Sequence, residues 1–335
     1  MTLGRMLVGL SVAWLAACGG SSPSAPATSS NTSPGSGFPA GTLSLTVSPI
    51  DQSKIRWITP LGNLNPPSHT LPTDHIYFYF ANPNIGESPA ALRTPFFAPG
   101  SGTVFSVIGG AAGQESKIFI RQTATFWYYV DHVILSAPIS QGAVITAGQV
   151  LGTTGSAFGV DLGVVNESLT VAFINPARYA QGDSLHCDAP LKYFSEPIRS
   201  QLYGRVQRLG SELDGTINYD VAGRLSGNWF ATVDASPMSF AKDTYDPNRV
   251  RISIGSGTFP GVYAIMSTDP APQDVSVASG RLMYSMSRSV SGPEPGSSTA
   301  THYLLVQMTD DTHIRTEIST SPLSDFSSAA RTWAR

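Results

Sequence analysis

Four runs of β-branched and aromatic residues dominate the middle of the chain: KIFIRQ (117–122), FWYYVDHVIL (126–135), AVITAGQVLG (143–152) and GVDLGVV (159–165). Glycine, proline and serine separate them, and each run has the length of a strand. A chain punctuated this often has little room for helix, so the fold class is mainly β. Farther on, Val250, Ile252 and Ile254 alternate with polar residues, as do Leu282, Tyr284 and Met286. That two-residue period marks a half-buried antiparallel sheet. HYLLVQM (302–308) and HIRTEI (313–318) read as a hairpin turned through Thr309-Asp310-Asp311-Thr312. Between the two β regions, Pro190 to Arg208 reads as a short helical connector. The second half is expected to be an antiparallel meander or small barrel. No repeat of solenoid or propeller length is present.

The N-terminus sets the compartment. Arg5 precedes an apolar run from Met6 to Ala17 that is too short to span a bilayer and reads as a secretory signal. Its end, Leu15-Ala16-Ala17-Cys18, resembles the lipobox of bacterial lipoproteins, in which the cysteine is acylated and becomes the mature N-terminus. The Gly/Ser/Pro-rich stretch that follows has almost no large apolar side chains and cannot offset its own ordering entropy. The expected division is a signal peptide over 1–17, a flexible tether over 18–41, a first β domain over 42–185 and a second over 186–335. Gly19 after Cys18 is not the aspartate that retains many lipoproteins at the inner membrane, so an anchor in the outer membrane or at the cell surface is expected.

Charge and cysteine count narrow the function. The net charge is −3 and no basic run could release counterions from nucleic acid, which is excluded as a partner. The chain has two cysteines, and with Cys18 lipidated Cys187 has no intrachain partner. Cys187 is expected to be buried and inert. The expected partners are the membrane, through the lipid, and peptidoglycan or another envelope protein.

Three segments carry a resemblance: TPFFAPGSGTVFSV (94–107), FWYYVDHVIL (126–135) and ISQGAVITAGQVLGTTGSAFGVDLGVV (139–165). In this order they are similar to the core of the lysostaphin/LytM-type M23 zinc peptidases. Ala98-Pro99-Gly100-Ser101-Gly102-Thr103-Val104 matches the family's small-residue turn and Gly-x-Val strand. Gly142, Val144, Gly148 and Gly152 match its glycine-spaced turn region, and Tyr129 to His132 resembles its Tyr-x-His segment with one extra residue. The resemblance covers about a third of the chain and implies an M23-like β-sandwich. Lipoyl-type carrier barrels share similar glycine spacing but need an exposed lysine on a hairpin tip. Lys117, the lysine nearby, lies in a strand-like context.

In that family zinc is held by an early histidine, an aspartate four residues on, and the second histidine of a final His-x-His. Three protein ligands with an open position for water are what hydrolytic zinc requires. Here His69 precedes Asp74 by five residues, with His75 as a second candidate, and the final motif reads Asp161-Leu162-Gly163. Glycine cannot ligate a metal, and His69 with Asp74 alone would bind zinc weakly. The resemblance therefore implies a domain that has lost zinc catalysis, needs no cofactor, and binds or scaffolds. The alternative is a zinc metalloendopeptidase acting on peptidoglycan peptides through a rearranged site. Its ligands would come from His69 or His75, Asp74, Asp161 and His132, or His132 would instead stabilise an oxyanion or move protons. On this alignment, histidines introduced together at 161 and 163 would complete a zinc site.

Other polar groups have plainer explanations. Asp74 can satisfy turn amides, His75 can bond backbone at a strand entry, and His132 can be a core histidine. The pair Asp214 and Asp220 sits near an Asp-Gly turn and is expected to be structural rather than glycosidic. Trp57, Trp127, Tyr128, Tyr219 and Trp229 are candidates for stacking on glycans or apolar ligands.

Overall fold

A computed structural model describes residues 37–335 apart from 181, 291, 294–296 and 298. Cys18, the signal segment and most of the tether lie outside the described residues. Two β systems follow one another. The first contains β1 (Trp57–Thr59), β2 (Ile76–Tyr79), β3 (Pro95–Phe97), β4 (Gly102–Ile108), β5 (Glu115–Arg121), β6 (Phe126–Leu135), β7 (Val144–Ile145), β8 (Val150–Thr154), β9 (Gly159–Asn166) and β10 (Cys187–Asp188). Its main path runs β1-β2-β9-β6-β5-β4-β7, with every pair antiparallel. β2 pairs with residues 159–162 of β9 and β10 with 164–165, so the two short strands lie end to end along one edge of β9.

The second system is a closed antiparallel barrel. It is built from β11 (Gly227–Ala231), β12 (Pro237–Lys242), β13 (Val250–Ile254), β14 (Gly261–Ile265), β15 (Arg281–Ser289), β16 (His302–Met308), β17 (His313–Ser319) and β18 (Arg331–Ala334). Each strand pairs with the next, and β11 closes on β18. The 302–308 and 313–319 strands form the expected hairpin. Alternate residues such as Trp229, Phe240, Ile252, Tyr284, Leu304 and Trp333 fill the interior, as side chains do in small eight-stranded barrels.

Two local expectations change. The apolar run 143–152 is divided between β7 and β8, because Gly148 adopts φ +80° and breaks the strand. The stretch 190–208 holds one α-helical segment, α1 (Ile198–Tyr203), since Pro197 removes a backbone donor and stops helix from extending toward Pro190.

The strand pleat sorts the first sheet into two faces. Ile76, Phe78, Tyr128, Val130, Val160 and Leu162 enter the main core, while His75, Tyr77, Tyr129, Asp161 and Gly163 take the opposite face. In β6 the alternation is interrupted. Val130 and Val133 both lie in the core, so two residues, Asp131 and His132, occupy the place of one. At this bulge β6 exchanges β9 for β8 as its neighbour, and His132 takes φ +63°.

The barrel wall packs on the first sheet's loops within one compact unit, residues 34–335. Asn228 Nδ2 donates to the Tyr179 hydroxyl at 2.8 Å, and Arg178 lies over the ring of Phe230. Thr70, in the loop that carries His69, sits so close to Gly255 that a Cβ there would stand 2.4 Å from its Oγ1. The loop before β2 is therefore held between sheet and barrel.

Candidate functional site

Asp161 is the hub. It lies on β9 between Tyr77 of β2 and Asp131 of β6 in register, and only 5% of it is exposed. Its Oδ2 is 3.4 Å from His75 Nε2 and 3.7 Å from His132 Nε2, while its buried Oδ1 has no hydrogen-bond partner. His75 at the entry to β2, Asp161 on β9 and His132 on β6 are thus brought to one place.

Each histidine has its own carboxylate on the far side. His75 Nδ1 meets Asp74 Oδ1 at 3.0 Å, and its Nε2 also meets the Tyr77 hydroxyl at 2.9 Å. His132 Nδ1 meets Glu115 Oε1 at 2.6 Å, and Glu115 Oε2 accepts from the backbone N–H and Oγ of Ser156. Burial disfavours both imidazolium forms, yet the neighbouring carboxylates prevail. Asp161 and Asp74 raise His75, while Glu115, Asp161 and Asp131 push His132 up to about 9. Glu115 is drawn down to about 2, chiefly by His132 and then by Ser156. Burial raises Asp161 against the pull of the two histidines.

Asp74 is fully engaged. Its Oδ1 also accepts from the Tyr129 hydroxyl at 2.8 Å, its Oδ2 accepts from Ser184 Oγ at 2.5 Å, and its backbone oxygen accepts from Cys187 Sγ at 3.3 Å. Burial opposes its charge, but these bonds hold the carboxyl well below the usual carboxylate range. The loop around Asp74 is enclosed: Thr70, Thr73 and His75 are all buried. Cys187 is buried as expected, and burial pushes its thiol far up, leaving it a poor nucleophile.

His69 stands at the margin, its ring edge-on to His75 with centroids 5.3 Å apart. Burial, then the charge of His75, pulls it down to about 4, so it is neutral. Position 163 is filled. A Cβ on Gly163 would stand 2.1 Å from Cζ and 2.6 Å from the hydroxyl oxygen of Tyr129. The phenol occupies the volume beside 163 and spends its hydroxyl on Asp74.

This tests the zinc arrangement that the resemblance implies. Its three ligand positions would be His69, Asp74 and 163, and they do not fit a metal: Asp74 already serves His75, Tyr129 and Ser184, and an aromatic ring blocks the third position. Histidine at 163 has no room, so the expected gain in zinc affinity from histidines at 161 and 163 is withdrawn.

Several residues here escaped the sequence reading. Glu115 and Lys117 come from β5, and Lys117 Nζ lies 4.0 Å from the centre of the Tyr129 ring and 3.7 Å from Asp183. Asp131 had a visible signal, since apolar residues at 128, 130, 133 and 135 imply a bulge that turns two successive polar residues outward. Ser184 had none. Of the proposed stacking aromatics, Tyr128 and Trp229 are core residues with no exposed surface, and Trp57 lies stacked on Tyr79 at 4.6 Å. Asp214 accepts from Tyr203, and Asp220 accepts from the backbone of Ile174 and Asn228, both structural roles.

No family model matches the chain, and no curated protein does. Among solved structures, the chain is similar to one from the SpoIIQ–SpoIIIAH pore-forming complex, at 12% identity and TM-score 0.30 over 48% of this chain and 96% of that one. It is similar to a putative M23 peptidase from Pseudomonas aeruginosa at 20% identity and TM-score 0.23, covering 39% and 49% of the two chains. It is also similar to lysostaphin from Staphylococcus simulans at 13% identity and TM-score 0.29, covering 88% and 92%. Likenesses of this size assign no residue a role, and the site stands on its own geometry.

Proposed function

We propose that this chain is a lipid-anchored cell-envelope protein whose M23-peptidase-like sheet binds or scaffolds and does not hydrolyse. The observation that supports this reading best is the Tyr129 ring beside Gly163, with its hydroxyl on Asp74. A ligand position closed by packed aromatic surface does not admit metal and water together, so hydrolysis through that arrangement is lost. The polar groups around Asp74 are tied to one another. Asp74, His75, Tyr129 and Ser184 form a hydrogen-bonded cluster that stiffens the open face of the sheet.

The test is incubation of the purified protein, with zinc supplied, on peptidoglycan sacculi. Co-sedimentation with sacculi without release of soluble peptides is the expected result. Release of peptides would overturn the reading in favour of a zinc endopeptidase. The anchor is tested separately, by acyl mass at Cys18 and membrane partition. A wild-type protein recovered wholly soluble with an unmodified N-terminus would sink the lipoprotein part of the proposal.

A further inference from the structure

The bulge in β6 creates a cluster that uses neither His69, nor Asp74, nor position 163. Asp131 and His132 both turn onto the open face beside Asp161, and one ligand atom from each of the three lies within 4.8 Å of the others. Two independent features mark this cluster as more than a chance meeting of polar side chains.

The first is the orphaned oxygen. Asp161 is 5% exposed, and its Oδ1 has no hydrogen-bond partner. A buried carboxylate oxygen left unmet is costly, and such atoms in folded proteins call for an explanation. The second is the way His132 is held. Glu115 grips Nδ1 at 2.6 Å and is itself anchored by Ser156, which fixes the ring and leaves Nε2 directed toward Asp161. A carboxylate on the far nitrogen is how metal-ligating imidazoles are oriented and made more basic. His132 adopts a left-handed backbone, φ +63°, where the bulge turns it onto this face.

We propose that Asp131, His132 and Asp161 form a site for one divalent transition-metal ion of the zinc class. His132 would donate through Nε2, the two aspartates through carboxylate oxygens, and Glu115 would orient His132. One imidazole with two carboxylates suits zinc, nickel or cobalt, whereas magnesium and calcium favour all-oxygen sets. Zinc ligand bonds of 2.0–2.2 Å put ligand atoms about 3.4 Å apart in a tetrahedral array. The cluster therefore has to contract by about 1.5 Å at most, within reach of side-chain torsions. Binding here is independent of the scaffolding reading, because a metal can be held without hydrolysis.

The test is isothermal titration of the full-length protein with zinc chloride, after chelator treatment and removal of the chelator. Wild type is expected to take up one zinc per chain. His132→Ala and Asp161→Asn should each weaken binding by well over tenfold, and Glu115→Gln by about tenfold, the usual effect of losing an orienting carboxylate. His69→Gln should bind as wild type does. Cobalt(II) added to wild type should give visible absorption that zinc abolishes, a readout that needs no variant to fold. No uptake of zinc or cobalt by wild type overturns the proposal. So does retention of full affinity by folded His132→Ala and Asp161→Asn, or loss of it in His69→Gln alone.

Discussion

The phenol of Tyr129 lies directly against Gly163, so close that a Cβ on the glycine would stand 2.1 Å from the ring. Glycine is required there by a neighbouring side chain and not by its backbone angles. The same ring is held from above by Lys117 and from its hydroxyl end by Asp74, so it has little freedom to move aside.

Gly163→Ala should therefore overpack the site and cost about 1 to 3 kcal/mol in chemical denaturation. Combined with Tyr129→Ala, the loss should be less than the sum of the two single losses, because the pair share the same volume. A Gly163→Ala protein as stable as wild type would show that the ring does not lie there.

Asp74→Ala should be far more damaging than its place in a pre-strand loop suggests. The change strips His75, Tyr129 and Ser184 of their shared acceptor and leaves Asp161 as the one carboxylate beside His75, a loss of about 3 kcal/mol. His69→Ala removes only a marginal ring and should cost about 1 kcal/mol. Urea denaturation of the two variants side by side decides the order, and equal losses would contradict the network.

Acid stability should reflect two opposing groups. His69 sits at about 4 in the folded protein against an ordinary 6.5, mainly through burial. The unfolded chain thus binds the extra proton between these values, and stability falls as pH drops through that window. Asp183 sits at about 6 against an ordinary 3.8, raised by burial and then by Asp74. The folded chain binds the extra proton between these values, so this group contributes stability that is lost as pH rises through 6. Relative to wild type, Asp183→Asn should lose melting temperature more steeply between pH 6 and 4, and His69→Gln less steeply. Parallel curves for all three proteins would contradict both assignments.

Tyr179→Phe should test the junction between sheet and barrel. Asn228 is 2% exposed, and its amide donates to the Tyr179 hydroxyl. Removing that acceptor leaves a buried donor unmet, at about 1 to 3 kcal/mol. The variant should still unfold in one transition, and two separated transitions would show that sheet and barrel do not unfold together.

The sequence by itself determined the strands. Their spacing follows from local chemistry, since alternation at 250–254 and 282–286 and glycine or proline at the breaks act within a few residues. It also offered His75, His132 and Asp161 as candidate polar residues, and alternation along β9 sets the face that Asp161 takes. Tertiary structure decided what these residues do. The bulge at 131–132 and the pairing of β6 with β9 put Asp131 and His132 beside Asp161, whereas β5 supplied Glu115 and Lys117 from outside the motif. Whether position 163 is open depends on the ring of Tyr129, a residue 34 positions earlier in the sequence that becomes its neighbour only when β9 pairs with β6. Local pattern sets which way a side chain points, but the volume beside it belongs to whichever strand arrives next to it.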